Sequence, residues 1–522
     1  MPSRLLLFRD AHRRLSPSFL LIAALSCGGG VRTGGGDTPS GSGAGGATGG
    51  GQAGEGEGGG RGGSGGGAGA TGGAPDGGTT GAAGSTSSGG AGGRGGAAGS
   101  GGVGGAAGGG AGGAGGARPT GPAVAFPGAV GFGRVATGGR GSSVYHVTNL
   151  NDAGTGSFRD AVSQSNRIVV FDVGGYVTLA TPVSVKSNLT IAGQTAPGDG
   201  IGFMAREVSF SGSSNVVVRY ARFRQGDLDP DSSKSGINLL NTTNMIFDHV
   251  SIEFAQWNNI DSVGASNITV MNSISADPIG QQFAAHTETG PYTWYGNLFA
   301  NAHNRCPLAK ANTQYVNNVI YNYQAGYTAG NTAGLFSHDI INNYFISGPR
   351  TTSSGNYFYQ MDNQSVYISG NFADTNNDGV LNGAMTGFPG STTHLTAPWS
   401  PDTALLTTTS AADTFASVTA GAGASLHRDQ VDALVIADVM SFGKSGDLWT
   451  HQTATGLANS GYGTLAGGTA PVDTDRDGMP DAWETRYGLD PANPSDATGD
   501  FDHTGYTNVE KYINGIVDHL YP

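Results

Sequence analysis

The sequence predicts an all-β fold, a right-handed parallel β-helix with a small helical module behind it. The first observation is a repeated phrase. Ser187-Asn188-Leu189-Thr190-Ile191, Ser214-Asn215-Val216-Val217-Val218, Thr243-Asn244-Met245-Ile246-Phe247 and Ser266-Asn267-Ile268-Thr269-Val270 share one form, with asparagines 27, 29 and 23 residues apart. The second is the make-up of the runs, since short β-branched and aromatic stretches bounded by Asn and Gly read as strands with turns between them. Strands recurring at roughly 20–50 residues indicate a solenoid, in which each coil buries its apolar face by stacking on its neighbours. Asn at the same point of each coil suits side-chain amides stacked in a hydrogen-bonded ladder. The third is the absence of hairpin signals every ~8–12 residues, which a β-sandwich would show.

Taken in order, the chain of 522 residues begins with basic residues (Arg4, Arg9, Arg13, Arg14) and the apolar run Phe19-Leu20-Leu21-Ile22-Ala23-Ala24-Leu25. A charged stretch followed by an apolar run too short to span a bilayer reads as a signal peptide, residues 1–27. Ala24-Leu25-Ser26-Cys27 resembles a bacterial lipobox, which makes Cys27 a candidate for acylation and the chain a secreted lipoprotein of the outer membrane or cell surface. Ordinary signal-peptide cleavage is the alternative. Residues 28–121 are nearly all Gly, Ala, Ser and Thr, with almost nothing to bury against the entropy of ordering a backbone, so a flexible tether is expected. The solenoid is expected over 122–455. Its later coils carry Tyr292-Thr293-Trp294-Tyr295-Gly296-Asn297, Tyr315-Val316-Asn317-Asn318, His338-Asp339-Ile340-Ile341-Asn342-Asn343 and Val366-Tyr367-Ile368-Ser369-Gly370-Asn371. Val431, Leu434, Val435, Ile436 and Val439 have helical spacing and predict a helix packed on the solenoid. Residues 456–471 read as a linker.

Residues 472–522 read as an EF-hand-like calcium module. In Asp473-Thr474-Asp475-Arg476-Asp477-Gly478-Met479-Pro480-Asp481-Ala482-Trp483-Glu484, carboxylates fall at loop positions 1, 3, 5, 9 and 12, Gly478 stands at the sharp turn, and Met479 is placed to offer its carbonyl. A weaker loop, Asp500 to Glu510, has Thr504 in place of a carboxylate and Glu510 one position early. The pair resembles the dockerin-like or thrombospondin-type-3-like tails of secreted bacterial enzymes. Asp374-Thr375-Asn376-Asn377-Asp378-Gly379 mimics the start of such a loop, or is a plain turn between coils.

A net charge of −13, from 39 acidic and 26 basic residues, argues against nucleic acid as a partner. Cys306 is the second cysteine, and a lipidated Cys27 leaves no intrachain disulfide. A monomer is expected, touching membrane only through its N-terminal anchor.

Ala125-Phe126-Pro127-Gly128-Ala129-Val130-Gly131-Phe132-Gly133, Val144-Tyr145-His146-Val147-Thr148-Asn149-Leu150-Asn151-Asp152, Gly156-Ser157-Phe158-Arg159-Asp160-Ala161-Val162, Ile168-Val169-Val170-Phe171-Asp172-Val173-Gly174-Gly175 and Ile191-Ala192-Gly193-Gln194-Thr195-Ala196-Pro197-Gly198 occur in that order. They resemble the bacterial pectate lyases of polysaccharide lyase family 1, over about residues 124–450. The resemblance implies calcium-assisted β-elimination on an acidic polysaccharide, pectate or a related uronan. A base removes the proton beside the uronate carboxylate, cations neutralise that carboxylate, and the 4-linked oxygen departs. The family's Arg-x-Pro-x-x-Arg motif stands here as Arg305-Cys306-Pro307-Leu308-Ala309-Lys310. This implies Arg305 as the catalytic residue and Lys310 as a substrate-binding cation; the family's further substrate-binding Lys has no counterpart between Lys234 and Lys310, and His286 in that stretch is the other substrate-binding candidate. Arg is ordinarily protonated throughout the accessible pH range, so either calcium and Lys310 close by depress its pKa or Arg305 acts as a fixed cation beside a hydroxide.

The family's calcium carboxylates are implied at Asp227, Asp229 and Asp231, and at Asn258 and Asp261. Here the chain departs from the pattern. Asn258 and Asn259 stand where relatives carry an acidic pair, and Ser235-Gly236-Ile237 replaces an Asp-Ala-Ile phrase. Asp248-His249 survives, and His249 is expected to be a hydrogen-bonded residue of the coil. Two other readings stay open, a non-catalytic β-helix that binds polysaccharide or serves as an adhesin, and a pectin lyase working without calcium.

Overall fold

Each coil needs a corner that turns the backbone into the left-handed region, and asparagine tolerates that region better than most residues. Asn188, Asn215, Asn244 and Asn267 have φ of 58°, 59°, 54° and 55°. Their amides stack as the repeat predicted, Asn188 donating to Asn166 at 2.9 Å, Asn215 to Asn188 at 2.9 Å and Asn267 to Asn244 at 3.0 Å. A second, buried ladder runs Asn297 to Asn318 to Asn343 to Asn371, with amide contacts of 3.0, 3.0 and 2.8 Å.

The computed structural model describes residues 123–330 and 334–521. Cys27, the segment 1–27 and the stretch 28–121 lie outside the described residues. Among those described, the strands form one sheet of 16 and another of 10, paired in parallel except where Phe372–Asp374 meets Ala384–Met385. This is the parallel solenoid that the repeat predicted. The first sheet runs from Ser143–Val147 through Arg167–Phe171, Leu189–Ala192, Ser214–Arg219, Thr243–Asp248 and Asn258–Met271 to Phe283–Tyr295, Leu308–Val316 and beyond. Between the sheets, inward side chains stack coil on coil, as in Phe158, Phe203 and Phe223, with ring centroids 3.9 and 5.5 Å apart in successive pairs. No helix among the described residues is long and apolar enough to cross a membrane.

The outer face of the second sheet is covered by helices Ala411–Gly421 and Gln430–Met440. Val431, Val435 and Val439 are buried as their spacing predicted, while Leu434 and Ile436 are half-buried. Phe415, Val418, Val435 and Val439 pack on Ile274, Leu298, Val319 and Tyr344. An ion network under these helices was not visible in the sequence. Arg224, fully buried, donates to Glu253 at 2.8 Å, Asp432 at 2.9 Å and Asp429 at 3.0 Å.

Residues 456–471, expected as a linker, lie along the solenoid. The buried Tyr462 donates to the Gln225 carbonyl at 3.0 Å, and Ala466 exchanges two 2.8 Å hydrogen bonds with Asp199. The C-terminal residues pack on the first coils, with Met479, Trp483, Val509 and Ile513 against Ile168, Val170 and Ala192.

One buried group makes stability depend on pH. His338 accepts from the Tyr327 hydroxyl at 2.8 Å and donates to Gln364 at 3.2 Å, and burial holds its pKa down to about 4. The unfolded chain protonates it at about 6.5. Between those values the unfolded state binds more protons, so this stability is complete above about pH 6.5 and is lost as pH falls towards 4, by about 3 kcal/mol. The stability gap between the native chain and His338→Asn, measured by urea unfolding, is expected to shrink from pH 7 to 4.5. A constant gap would contradict a neutral buried imidazole.

Candidate active site

Three adjacent strands of the first sheet set the site by register. Asp261 pairs with His286, and Glu288 pairs with Lys310. Strand side chains alternate between faces, so His286 and Glu288 share the outer face while Thr287 between them is buried. Lys310 likewise faces out between the buried Ala309 and Ala311. Arg305 precedes this third strand at φ 68°, a left-handed conformation uncommon for a side chain of its size. Its carbonyl accepts from the Ala285 amide at 2.8 Å, which ties the turn to the neighbouring strand.

The Arg305 guanidinium lies over the Phe283 ring at 3.8 Å and within 5.8 Å of Trp257. It donates to Asn258 Oδ1 at 3.0 Å. Burial pulls its pKa below the ordinary value, opposed by the charges of Asp261 and Glu288. That is the direction a base requires. His286 donates to Asp261 at 3.1 Å and to Glu288 at 2.9 Å, and Lys310 donates to the same Glu288 oxygen at 3.1 Å. Burial works against a charge on His286, but the hydrogen bonds to Asp261 and Glu288 outweigh it and raise its pKa. Glu288 is held at about 2, first by the hydrogen bond from His286 and then by Lys310, against the cost of burial. The structure thus gathers Arg305, His286, Lys310, Asn258 and Asp261 on one face. It adds Glu288, which sequence reasoning did not assign; its period-two spacing from His286 was the available signal.

The expected calcium carboxylates do not converge. Asp227 pairs with His451, Asp229 pairs with Arg206, and Asp231 accepts from the Ser233 amide and hydroxyl in a local turn. Asn258 Oδ1 is engaged by Arg305, Asp261 Oδ1 by His286 and Asn258. Asn259 is turned away, accepting from the Ala255 amide at 3.1 Å and donating to the Ala276 carbonyl at 2.8 Å. His249 bonds Asp248 at 2.8 Å and stacks on Tyr220, a role internal to the coil. The Asp374 loop closes on itself, with Asn376 and Asn382 both donating to Asp378.

The C-terminal loop behaves differently. Asp473, Asp475 and Asp477 bring ligand oxygens within 4.8 Å of one another, and so do Asp477, Glu484 and Asp496. Both oxygens of Asp475 and of Glu484, and one each of Asp477 and Asp496, are buried without a hydrogen-bond partner among the described residues. Burial, and then the neighbouring carboxylates, push Asp477 up to about 7 and Glu484 to about 8. Asp481, an expected ligand, instead caps Thr474, accepting from its amide at 2.8 Å and its hydroxyl at 2.7 Å. The Met479 side chain is buried in the contact with the solenoid.

No family model matches the chain. Among curated proteins, probable pectate lyase C of Aspergillus flavus is 40% identical over 415 residues, covering 77% of this chain and 96% of that protein. Its counterpart in Aspergillus fumigatus is 41% identical over 410 residues, covering 76% and 95%. The chain belongs to the pectate lyase family. It is a polysaccharide lyase, and the parallel solenoid is the frame on which its site is built. Solved pectate lyases are more distant. One from Bacillus sp. N165 in complex with trigalacturonate has 17% identity and a TM-score of 0.40, covering 57% of this chain and 98% of its own. Another, bound to hexasaccharide, has 14% identity and a TM-score of 0.43, covering 58% and 98%. Both likenesses are too loose to place a residue.

Proposed function

We propose that this lyase cleaves pectate or a related uronan by β-elimination at the Arg305 centre. The observation that carries the reading is local charge. Arg305, protonated His286 and Lys310 face Asp261 and Glu288, three positive groups against two negative, on a chain of net charge −13. A uronate carboxylate is drawn to that face, with Lys310 and His286 placed to neutralise it. The fraction of Arg305 that has given up its proton, which desolvation over Phe283 favours, takes the proton from the carbon beside the carboxylate and afterwards releases it to water. The electron pair forms the ring double bond, the bond to the 4-linked oxygen breaks, and the departing oxygen takes a proton from water.

Calcium is the ion that the family resemblance implies here. A bound calcium would supply further charge neutralisation of the uronate, but the residues present do not fit an ion held by protein alone. Each carboxylate at the centre already has a cationic partner, whereas Asp475, Asp477 and Glu484 of the C-terminal loop have none among the described residues. This contrast favours elimination on side-chain cations, with calcium bound in the tail as a structural ion. Incubating the full chain with a panel of uronans, with calcium or with chelator, and following ultraviolet absorbance of the unsaturated product tests both parts. Product is expected on at least one uronan, and turnover is expected to persist in chelator. No product on any uronan supports the non-catalytic polysaccharide-binding reading, and complete loss in chelator rejects the side-chain-cation reading.

We also propose export as a lipid-anchored surface protein, supported by the Ala24-Leu25-Ser26-Cys27 phrase. Labelling with a fatty-acid analogue is expected to mark the chain, and Cys27→Ser to release it from membranes. A wholly soluble, unmodified protein would decide for simple secretion.

A further inference from the structure

The two C-terminal loops carry their charge in opposite ways. In the first, Asp473, Asp475, Asp477, Glu484 and Asp496 converge in two overlapping groups. Glu484 is fully buried, and neither of its oxygens has a hydrogen-bond partner among the described residues. An unpaired buried carboxylate is costly, and several together more so. In the second loop a cation is already present. Lys511, 1% exposed, places its ammonium on Asp500 and, at 2.9 Å, on Asp502. Glu510, which the sequence offered as the closing ligand of this loop, turns away. It caps the Thr507 amide at 2.9 Å and pairs with Arg140 at 2.9 Å.

We propose that the tail holds a single divalent cation in its first loop, with Asp496 as a ligand from outside the twelve-residue motif, and that the second loop is a metal-free copy whose cation is the Lys511 ammonium. This rests on the reading of the first loop as a calcium site and specifies its shell. The donors are all carboxylates, which selects a hard oxygen-seeking ion such as calcium over thiolate- or imidazole-seeking metals. Asp496 takes the place that Asp481 loses to Thr474. It is positioned by the short helix Asp496–Thr498, whose Asp496 carbonyl accepts from Asn508 at 2.8 Å. One ion and one lysine then close the two halves against each other on the first coils of the solenoid.

Hydrogen-exchange mass spectrometry on the full chain, in calcium and in chelator, reads the two loops separately. In the native chain, calcium is expected to protect residues 473–487, while residues 500–506 stay protected in chelator. Asp496→Asn is expected to weaken the calcium-dependent protection roughly tenfold or more in calcium concentration, and Asp481→Asn to leave it unchanged. If native residues 473–487 show no response to calcium, the tail is not a calcium site and the underlying reading fails. If they respond but Asp481→Asn abolishes the response, or Asp496→Asn leaves it intact, that reading stands and the assigned shell is wrong. Should Asp496→Asn not fold, the native second loop still decides its half, because loss of protection at 500–506 in chelator would overturn the role of Lys511.

Discussion

Replacing Arg305 with lysine is expected to lower turnover by roughly 10²-fold or more, the scale of a lost acid–base group. Lysine keeps a positive charge and a basic nitrogen, so the loss would come from position. It cannot lie as a plane over Phe283 at 3.8 Å or present a guanidinium to Asn258, and the two side chains are not interchangeable at a stacked site. The partners left behind, Phe283 and Asn258, are held by strand pairing rather than by the guanidinium. Circular dichroism and the unfolding midpoint should therefore stay close to those of the native chain. Near-normal turnover in Arg305→Lys would remove the assignment.

The second large effect is on stability. Arg224→Met is expected to lower the unfolding free energy by about 3–5 kcal/mol, since it strands buried carboxylates without their cation. Glu253 and Asp432 are fully buried and Asp429 nearly so, and each loses a direct bond to Arg224. Burial already raises the Glu253 pKa, and Arg224 is the charge that opposes this. Because Asp432 lies on the helix Gln430–Met440, the loss should appear first as faster hydrogen exchange of that helix, then as a lower midpoint in urea. A loss of unfolding free energy under about 1 kcal/mol, the scale of an exposed ion pair, would show that the network contributes no more than a surface contact.

What could be read from the sequence follows the range of the interactions. The Asn188, Asn215, Asn244 and Asn267 ladder was legible because each coil repeats the same corner, so a one-dimensional period carries a three-dimensional contact. That Arg305 and Lys310 would lie on one face was legible through a local motif. Glu288 was not, because its role depends on Lys310 standing opposite it in the neighbouring strand. Asp227, Asp229 and Asp231 misled for the reverse reason. Alternating carboxylates in a loop suggest convergence, but Arg206, Ser233 and His451 were nearer partners. In the tail the spacing of Asp473, Asp475, Asp477 and Glu484 pointed to an acidic cluster that the fold does form, whereas the Thr474 cap on Asp481 and the approach of Asp496 to Asp477 and Glu484 are tertiary and left no local signal. The Arg224 network joins groups about 205 residues apart in sequence, beyond any local pattern.

Mass analysis of the products tests the central claim most directly. Digesting polygalacturonate with the full chain is expected to yield oligosaccharides whose new non-reducing end carries a ring double bond, one water lighter than hydrolysis would give, with this product largely lost in Arg305→Lys. Saturated ends would mean hydrolysis, and polygalacturonate and every other uronan of the panel left intact would mean no cleavage. Either result would contradict elimination at the Arg305 centre.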